Sequence, residues 1–238
     1  MPIPTTWKDF GKPHYFGMVS IADPRRSSSH LTMFTLVVQR FGWKKGWALL
    51  THMAANTQNF AQSSTAPIKA IVSGAAALSP SVGYFANAKI TELKTKELSF
   101  TMPKSEAFMN TDPISILKGA PNHTPAKIFI EFILSSQTQK LFVLPQGFTD
   151  GPSHAFLGRL SVNKQTYKET STKRPRAFNP FELKSNPVVL DKDKATRIQF
   201  VLADLFGAVL VDSHEALKKK AQNNMKENKF NLEKALFE

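Results

Sequence analysis

Strand-like and helix-like stretches alternate along the chain, and that alternation predicts an α/β fold. Three stretches carry the prediction. YFGMVSIADP (15–24) mixes aromatic and β-branched residues and breaks at Asp23-Pro24, as a buried strand entering a turn does. Ser27, Ser28 and Ser29 then precede LTMFTLVVQRFGW, and serine ahead of a periodic apolar run is a helix N-cap signal. Toward the other end, Asp191 caps DKATRIQFVLADLFGAVL, which sets Ile198, Val201, Leu202 and Leu205 on one stripe.

The remaining elements fill in between. TWKDF, with Thr6 as a cap, is a short first element ended by the turn Gly11-Lys12-Pro13. GWALLTHMAAN carries Trp47, Leu50 and Met53 at three-residue spacing and reads as a helix. A polar loop, AQSST, follows Phe60, and Pro67 opens the short helix PIKAIVSG, stopped by Gly74. AAALSPSVGYFANAKI is small and apolar but interrupted by Pro80 and Gly83. ELSFTMP (97–103) and PISILKG (113–119) read as strands. Thr124 and Pro125 start AKIFIEFILSS, whose apolar face is wide. The stretch from Val143 to Asn186 is rich in Pro, Gly and Lys and reads as a long loop. Asp212 and Glu215 form a D-x-x-E capping box before HEALKKKAQNN, whose lysines 218–220 suit the helix dipole.

Composition narrows the function. The 238 residues are 42% hydrophobic and 21% charged, which excludes a disordered polyelectrolyte, and no apolar run reaches the roughly 20 residues that span a bilayer. With no cysteine there is no disulfide framework, thiolate metal site or cysteine nucleophile. The opening residues show no charged-then-apolar signal peptide. Lys and Arg outnumber Asp and Glu by 31 to 18, a formal charge of +13. The excess is seven in residues 1–90, one in 91–160 and five in 161–238, so it is not one basic tail. Such a surface attracts nucleic acid, anionic lipid or a small anion. KRPRAFNPF (173–181) and KKGW (44–47) interleave aromatics with cations, but no nucleic-acid-reading module surrounds them. Nucleic acid is therefore not the expected partner, although a basic interaction or nucleic-acid-binding protein is the alternative reading.

The most informative local feature is Asp23-Pro24-Arg25-Arg26-Ser27-Ser28-Ser29, between a strand and a helix. A helix start exposes unpaired N–H groups at the positive end of its dipole, and hydroxyls and guanidinium groups add donors for carboxylate or phosphate. The six histidines form no H-E-x-x-H, and the chain has no G-x-S-x-G elbow, no phosphate-binding G-x-x-x-x-G-K and no dinucleotide-binding G-x-G-x-x-G. No catalytic residues, and so no enzyme, are expected.

Read in order, several segments resemble the bacterial extracellular solute-binding proteins of ABC transporters, in the ferric-ion-type branch of the type II periplasmic binding fold. They are Pro4 to Phe10 (P-x-T-W-x-D-x), Asp23 to Ser29, Gly42 to Trp47, and Ala55, Asn56, Phe60, Ser63 and Ser64. Later come Asp112 to Asn122 (D-P-I-x-I-L-K-G-A-P-N), Ala126 to Gln139, Asn179 to Phe181 and Val211 to Leu217. The resemblance implies a two-lobed α/β receptor that closes on a ligand between its lobes. It implies a complete second lobe over residues 1–97, with hinge strands, a partial first lobe and C-terminal helices over 98–238. Ser27, Ser28 and Ser29 would be its anion-binding helix start, with Asn56, Ser63 and Ser64 lining the cleft. Tyr84 falls near where iron-binding relatives place a coordinating tyrosine, a hard donor suited to ferric iron. Ferric sites gather more than one tyrosine and the chain has Tyr15, Tyr84 and Tyr167, so an anionic or phosphate-bearing solute is the expected ligand ahead of ferric iron. No cofactor is implied. The implied partners are the solute or metal complex, an ABC permease and a chain supplying the absent part of lobe one, and the implied place is the periplasm or cell surface.

Overall fold

The chain divides into two units, one of residues 1–82, 101–110 and 185–238, the other of residues 83–100 and 111–184. The computed structural model describes residues 2–103, 106–109, 112–175, 179–182 and 188–227. The expected boundary at residue 97 is not where the contacts divide. The last helices belong with the first unit because they cover its core.

In that first unit, strand β1 (Val19–Ala22) is buried along its whole length and pairs in parallel with β2 (Thr57–Ala61). A parallel pair needs a crossover, supplied here by α1 (Ser28–Phe41) and α2 (Trp43–Asn56). On the other side of β1, the Ser20 N–H donates to the Leu78 carbonyl at 3.0 Å. The sequence hid β2, because TQNFA is polar and only Thr57 in it is buried. Gly42, at φ +80°, turns the chain between the two helices, and Gly46 lets them approach closely. A Cβ on Gly46 would lie 2.7 Å from the Val38 Cα. The short helix α3 (Ala66–Val72) ends, as expected, before Gly74 at φ +76°.

The core of this unit is closed by α8 (Lys192–Phe206), a π-helical segment (Gly207–Asp212) and α9 (His214–Lys226). Phe206, fully buried, packs edge-on to Phe34 at 5.5 Å and tilts against Trp47 at 4.9 Å. Asp191 caps α8 as expected, accepting from the Lys194 N–H at 3.0 Å. The apolar stripe read as one helix through Leu210 widens into the π segment. The expected Asp212–Glu215 capping box does not form: the N-cap of α9 is Ser213, and Asp212 faces Arg25 instead. At the N-terminus, TWKDF becomes a 3-10 turn over Trp7–Gly11. The Asp9 carboxylate accepts there from the N–H groups of Thr5 and Thr6, at 2.7 and 2.8 Å. Burial opposes ionisation of Asp9, but the Lys12 ammonium and those N–H groups outweigh it and hold its pKa to about 2.

The second unit holds α4 (Gly83–Leu93), α5 (His123–Leu134), α6 (Ser136–Val143) and α7 (Lys164–Glu169). Among its described residues it contains no strand. ELSFTMP and PISILKG, expected to be strands, are without regular structure, because β-branched composition supplies no ladder when no partner strand lies alongside. Helix α4 was hidden by its Gly83 start and small residues. The long loop also holds more order than its composition suggested. Asn163 caps α7, and Gln139 of α6 accepts from Ser161 Oγ and the Val162 N–H at 2.9 Å each. Among the described residues no helix is long and apolar enough to cross a membrane.

Candidate functional site

Because β1 and β2 run in parallel, the loops leaving them emerge on one edge of the sheet. The loop after β1 holds Asp23–Ser27, and the loop after β2 holds residues 62–65. They meet where Ser27 Oγ lies 2.7 Å from Ser64 Oγ. Ser27 is the N-cap of α1: its Oγ accepts from the His30 N–H at 3.3 Å and lies 3.0 Å from His30 Nδ1. Ser28 is exposed and Ser29 half-buried in the first turn, where N–H groups have no intrahelical acceptor. Ser63 is exposed and Ser64 half-buried beside them. The structure therefore brings together Ser27, Ser28, Ser29, Ser63 and Ser64 at the C-terminal ends of two parallel strands, where ligands of α/β proteins bind.

His30 completes this cluster and was missed in the sequence, although a histidine in the first turn behind a serine cap was the available signal. Its side chain is 1% exposed, and burial pushes the imidazole down to about 4. The ring is neutral at pH 7, which leaves two forms of the relay. With the proton on Nδ1, hydrogen bonds run from His30 to Ser27 to Ser64, and the Ser64 hydroxyl donates outward. With the proton on Nε2, the relay runs inward and Ser64 presents a lone pair. A serine 3.0 Å from a histidine also has the outline of a nucleophile and base. Ser27, however, is 1% exposed and its Oγ is enclosed by His30 and Ser64, which is the setting of a cap.

Two expected members lie elsewhere. Asn56 precedes β2, so it stands about 20 Å from the loop at the far end of that strand. Both hydrogens of its buried carboxamide are engaged, by the carbonyls of Phe10 at 2.8 Å and Lys12 at 2.7 Å, so it clamps the N-terminal turn. Tyr84 belongs to the second unit, on α4, with the Arg159 guanidinium 4.1 Å above its ring. Arg159 in turn pairs with Asp112.

The arginines also divide. Arg26 is exposed beside the cluster. Arg25, expected to face an anion, instead bridges two carboxylates of the protein. It forks onto Asp212 at 2.9 and 3.0 Å and meets Asp23 Oδ2 at 2.9 Å. Burial of Asp23 opposes its ionisation, but this guanidinium holds its pKa below the ordinary value. A sequence separation of 187 between Arg25 and Asp212 left no local signal for the bridge. Gly207 makes room for it, since a Cβ there would overlap the Arg25 side chain. Of the other tyrosines, Tyr15 donates to the Pro2 carbonyl at 2.7 Å, and Tyr167 accepts from the Ser161 N–H at 2.8 Å. Among the described residues, no three His, Asp or Glu side chains gather as a metal-holding group. Of KRPRAFNPF, residues 176–178 lie outside the described residues.

Comparison with known proteins bears on the family and the fold. Residues 1–168 match the family model of the bacterial extracellular solute-binding protein. An uncharacterized protein of Haemophilus influenzae is 29% identical over 182 residues, 76% of this chain and 48% of its own length. The phosphoglycerate transport regulatory protein PgtC of Salmonella typhimurium is 28% identical over 141 residues, 59% of this chain and 34% of its own. The chain thus spans half or less of the curated relatives it matches. Among solved structures, the periplasmic binding protein AfuA of Actinobacillus pleuropneumoniae, with fructose-6-phosphate bound, aligns at TM-score 0.66 and 22% identity, over 88% of this chain and 61% of AfuA. Apo ferric ion-binding protein A of Pasteurella haemolytica aligns at TM-score 0.60 and 18% identity, over 88% and 62%. The fold is that of the periplasmic binding proteins, and the chain belongs to the family of bacterial extracellular solute-binding proteins.

Proposed function

We propose that this chain forms the anion-holding portion of the substrate-binding component of an ABC importer, and that its ligand is a small phosphate-bearing solute. The observation that carries the reading is the meeting of Ser27 and Ser64 at 2.7 Å, beside the first turn of α1, on the edge where both parallel strands end. A phosphate placed there would take the N–H groups and hydroxyls of Ser28 and Ser29, with Ser63 and Ser64 opposite and Arg26 supplying positive charge. Two relatives support the chemistry, since the AfuA structure holds a sugar phosphate and PgtC is named for phosphoglycerate transport. Ferric iron has less support, because Tyr15 and Tyr167 are tied to backbone groups and Tyr84 lies under a guanidinium. The role is binding without catalysis, at the extracytoplasmic side of a membrane, delivering the solute to a permease.

Titration calorimetry with fructose-6-phosphate and 3-phosphoglycerate tests the reading. Ser28→Ala/Ser29→Ala removes the two hydroxyls without touching the buried cap and weakens binding at least tenfold. Equal heats in the variant and the parent chain, or a response to ferric citrate alone that Tyr84→Phe abolishes, would overturn the assignment.

A further inference from the structure

The partners of the Ser27 hydroxyl fill every site it has, and counting them leaves a single choice of direction. A hydroxyl has one proton to donate and two lone pairs. One lone pair of Ser27 Oγ accepts from the His30 N–H at 3.3 Å. The proton and the other lone pair remain for His30 Nδ1 at 3.0 Å and Ser64 Oγ at 2.7 Å. If Nδ1 carries the ring proton, Ser27 accepts from it and donates to Ser64. If Nε2 carries it, Ser27 donates to Nδ1 and accepts from Ser64. The imidazole therefore decides whether Ser64 meets a ligand as donor or as acceptor.

The far end of the ring makes that decision. His30 Nε2 is buried and makes no hydrogen bond of normal geometry among the described residues. Burial keeps the ring neutral, and against it the Pro80 carbonyl favours a proton on the ring. With Nδ1 engaged by Ser27, that carbonyl falls to Nε2. Pro80 is buried, its carbonyl accepts from Ser79 Oγ at 2.8 Å, and proline has no N–H to give. A bare Nε2 would set its lone pair against that oxygen in a buried place, whereas Nε2–H faces an acceptor. The proton so placed commits the Ser27 proton to Nδ1. Ser64 must then donate inward, since two oxygens 2.7 Å apart need a proton between them. Only its lone pairs face outward. We infer that His30 is a positioning residue that makes Ser64 an acceptor, so that the cluster takes a tetrahedral oxyanion bearing its own proton, hydrogen phosphate ahead of sulfate. This selectivity rests on the serine cluster being the anion site, as proposed above. The two ions share charge and shape, but sulfate sets a bare oxygen against the Ser64 lone pairs, which is expected to weaken it about tenfold or more.

Two measurements on the full chain test it. Heteronuclear NMR of histidine-labelled protein, with the His30 signal identified by its loss in His30→Asn, is expected to find the ring proton on Nε2. A proton on Nδ1 overturns the inference. Calorimetric displacement of fructose-6-phosphate at neutral pH is expected to need about tenfold or more sulfate than inorganic phosphate. Equal potency, or no displacement by either, overturns it as well. Ser64→Ala changes a half-buried side chain and keeps the helical circular dichroism, and it is expected to bring the two ions within about twofold of each other. An unchanged preference in that variant also overturns the inference. If neither fructose-6-phosphate nor 3-phosphoglycerate binds at all, the anion site itself fails and the selectivity with it, and the tautomer tells the two failures apart.

Discussion

Helices α1 and α5 are of similar length and both carry amphipathic apolar patterns, but they end in different surroundings. In the first unit α1 buries Met33, Phe34, Leu36 and Val37 beside strand β1, itself wholly buried. In the second unit no residue of α5 is fully buried, although its apolar content is higher. The difference lies in the layer beneath each helix and not in the helices themselves. Amphipathic periodicity fixes which face a helix will bury, while a sheet or another helix decides whether that face is covered.

Truncating one aromatic in each unit is the strongest way to break this contrast. Phe206→Ala opens a cavity between Phe34 and Trp47 and is expected to cost about 3–5 kcal/mol, read from the urea midpoint. Phe132→Ala, on the exposed arc of α5, is expected to change stability by less than about 0.5 kcal/mol. Comparable losses from the two would mean that α5 is already packed.

Acid gives the next largest effect, again in the first unit. The folded His30 imidazole, near 4, lies below its unfolded value of 6.5, so the folded state binds fewer protons. Its contribution is full above about pH 6.5, is lost as pH falls toward 4 and levels off below, a change of about 3 kcal/mol. His52, also lowered by burial, acts in the same direction, so the His30→Asn variant is needed to isolate the part due to His30. Asp9 acts in a separate window, losing its contribution as pH falls from about 4 through 2. Denaturant midpoints measured between pH 7 and 4 check this, and an unchanged slope in His30→Asn would remove His30 from the account.

The smallest contrast is within the serine run. Ser27→Ala removes the cap of α1 and is expected to cost about 1 kcal/mol, whereas exposed Ser28→Ala is expected to stay within about 0.5 kcal/mol. Thermal unfolding of the two variants separates the cap from the binding surface.

Much of the first unit was legible in the sequence because its signals are local. The strand ending at Asp23-Pro24, the Ser27 cap, the Gly74 stop and the Asp191 cap each follow from neighbouring residues. What escaped was set at long range. Strand β2 takes its character from β1, and Arg25 finds Asp212 only in the folded chain. Asn56 looked like a cleft residue but is turned to the Phe10 and Lys12 carbonyls, and ELSFTMP looked like a strand but has no ladder to join. Of the expected site, the serines converge through parallel pairing, while Tyr84 stands in the other unit.

The Arg25 bridge has a consequence for how this protein tolerates change. Its two carboxylates come from opposite ends of the chain, one from the loop that leads to the serines and one from the segment between α8 and α9. A frameshift or an early stop between residues 188 and 206 would leave β1, β2 and every serine of the site intact in the gene. It would nonetheless remove Asp212, leave Arg25 with Asp23 as its remaining carboxylate partner, and uncover the core face that Phe206 and Leu210 fill. A change between residues 188 and 212 would therefore be felt at the loop that leads to the proposed solute-binding serines.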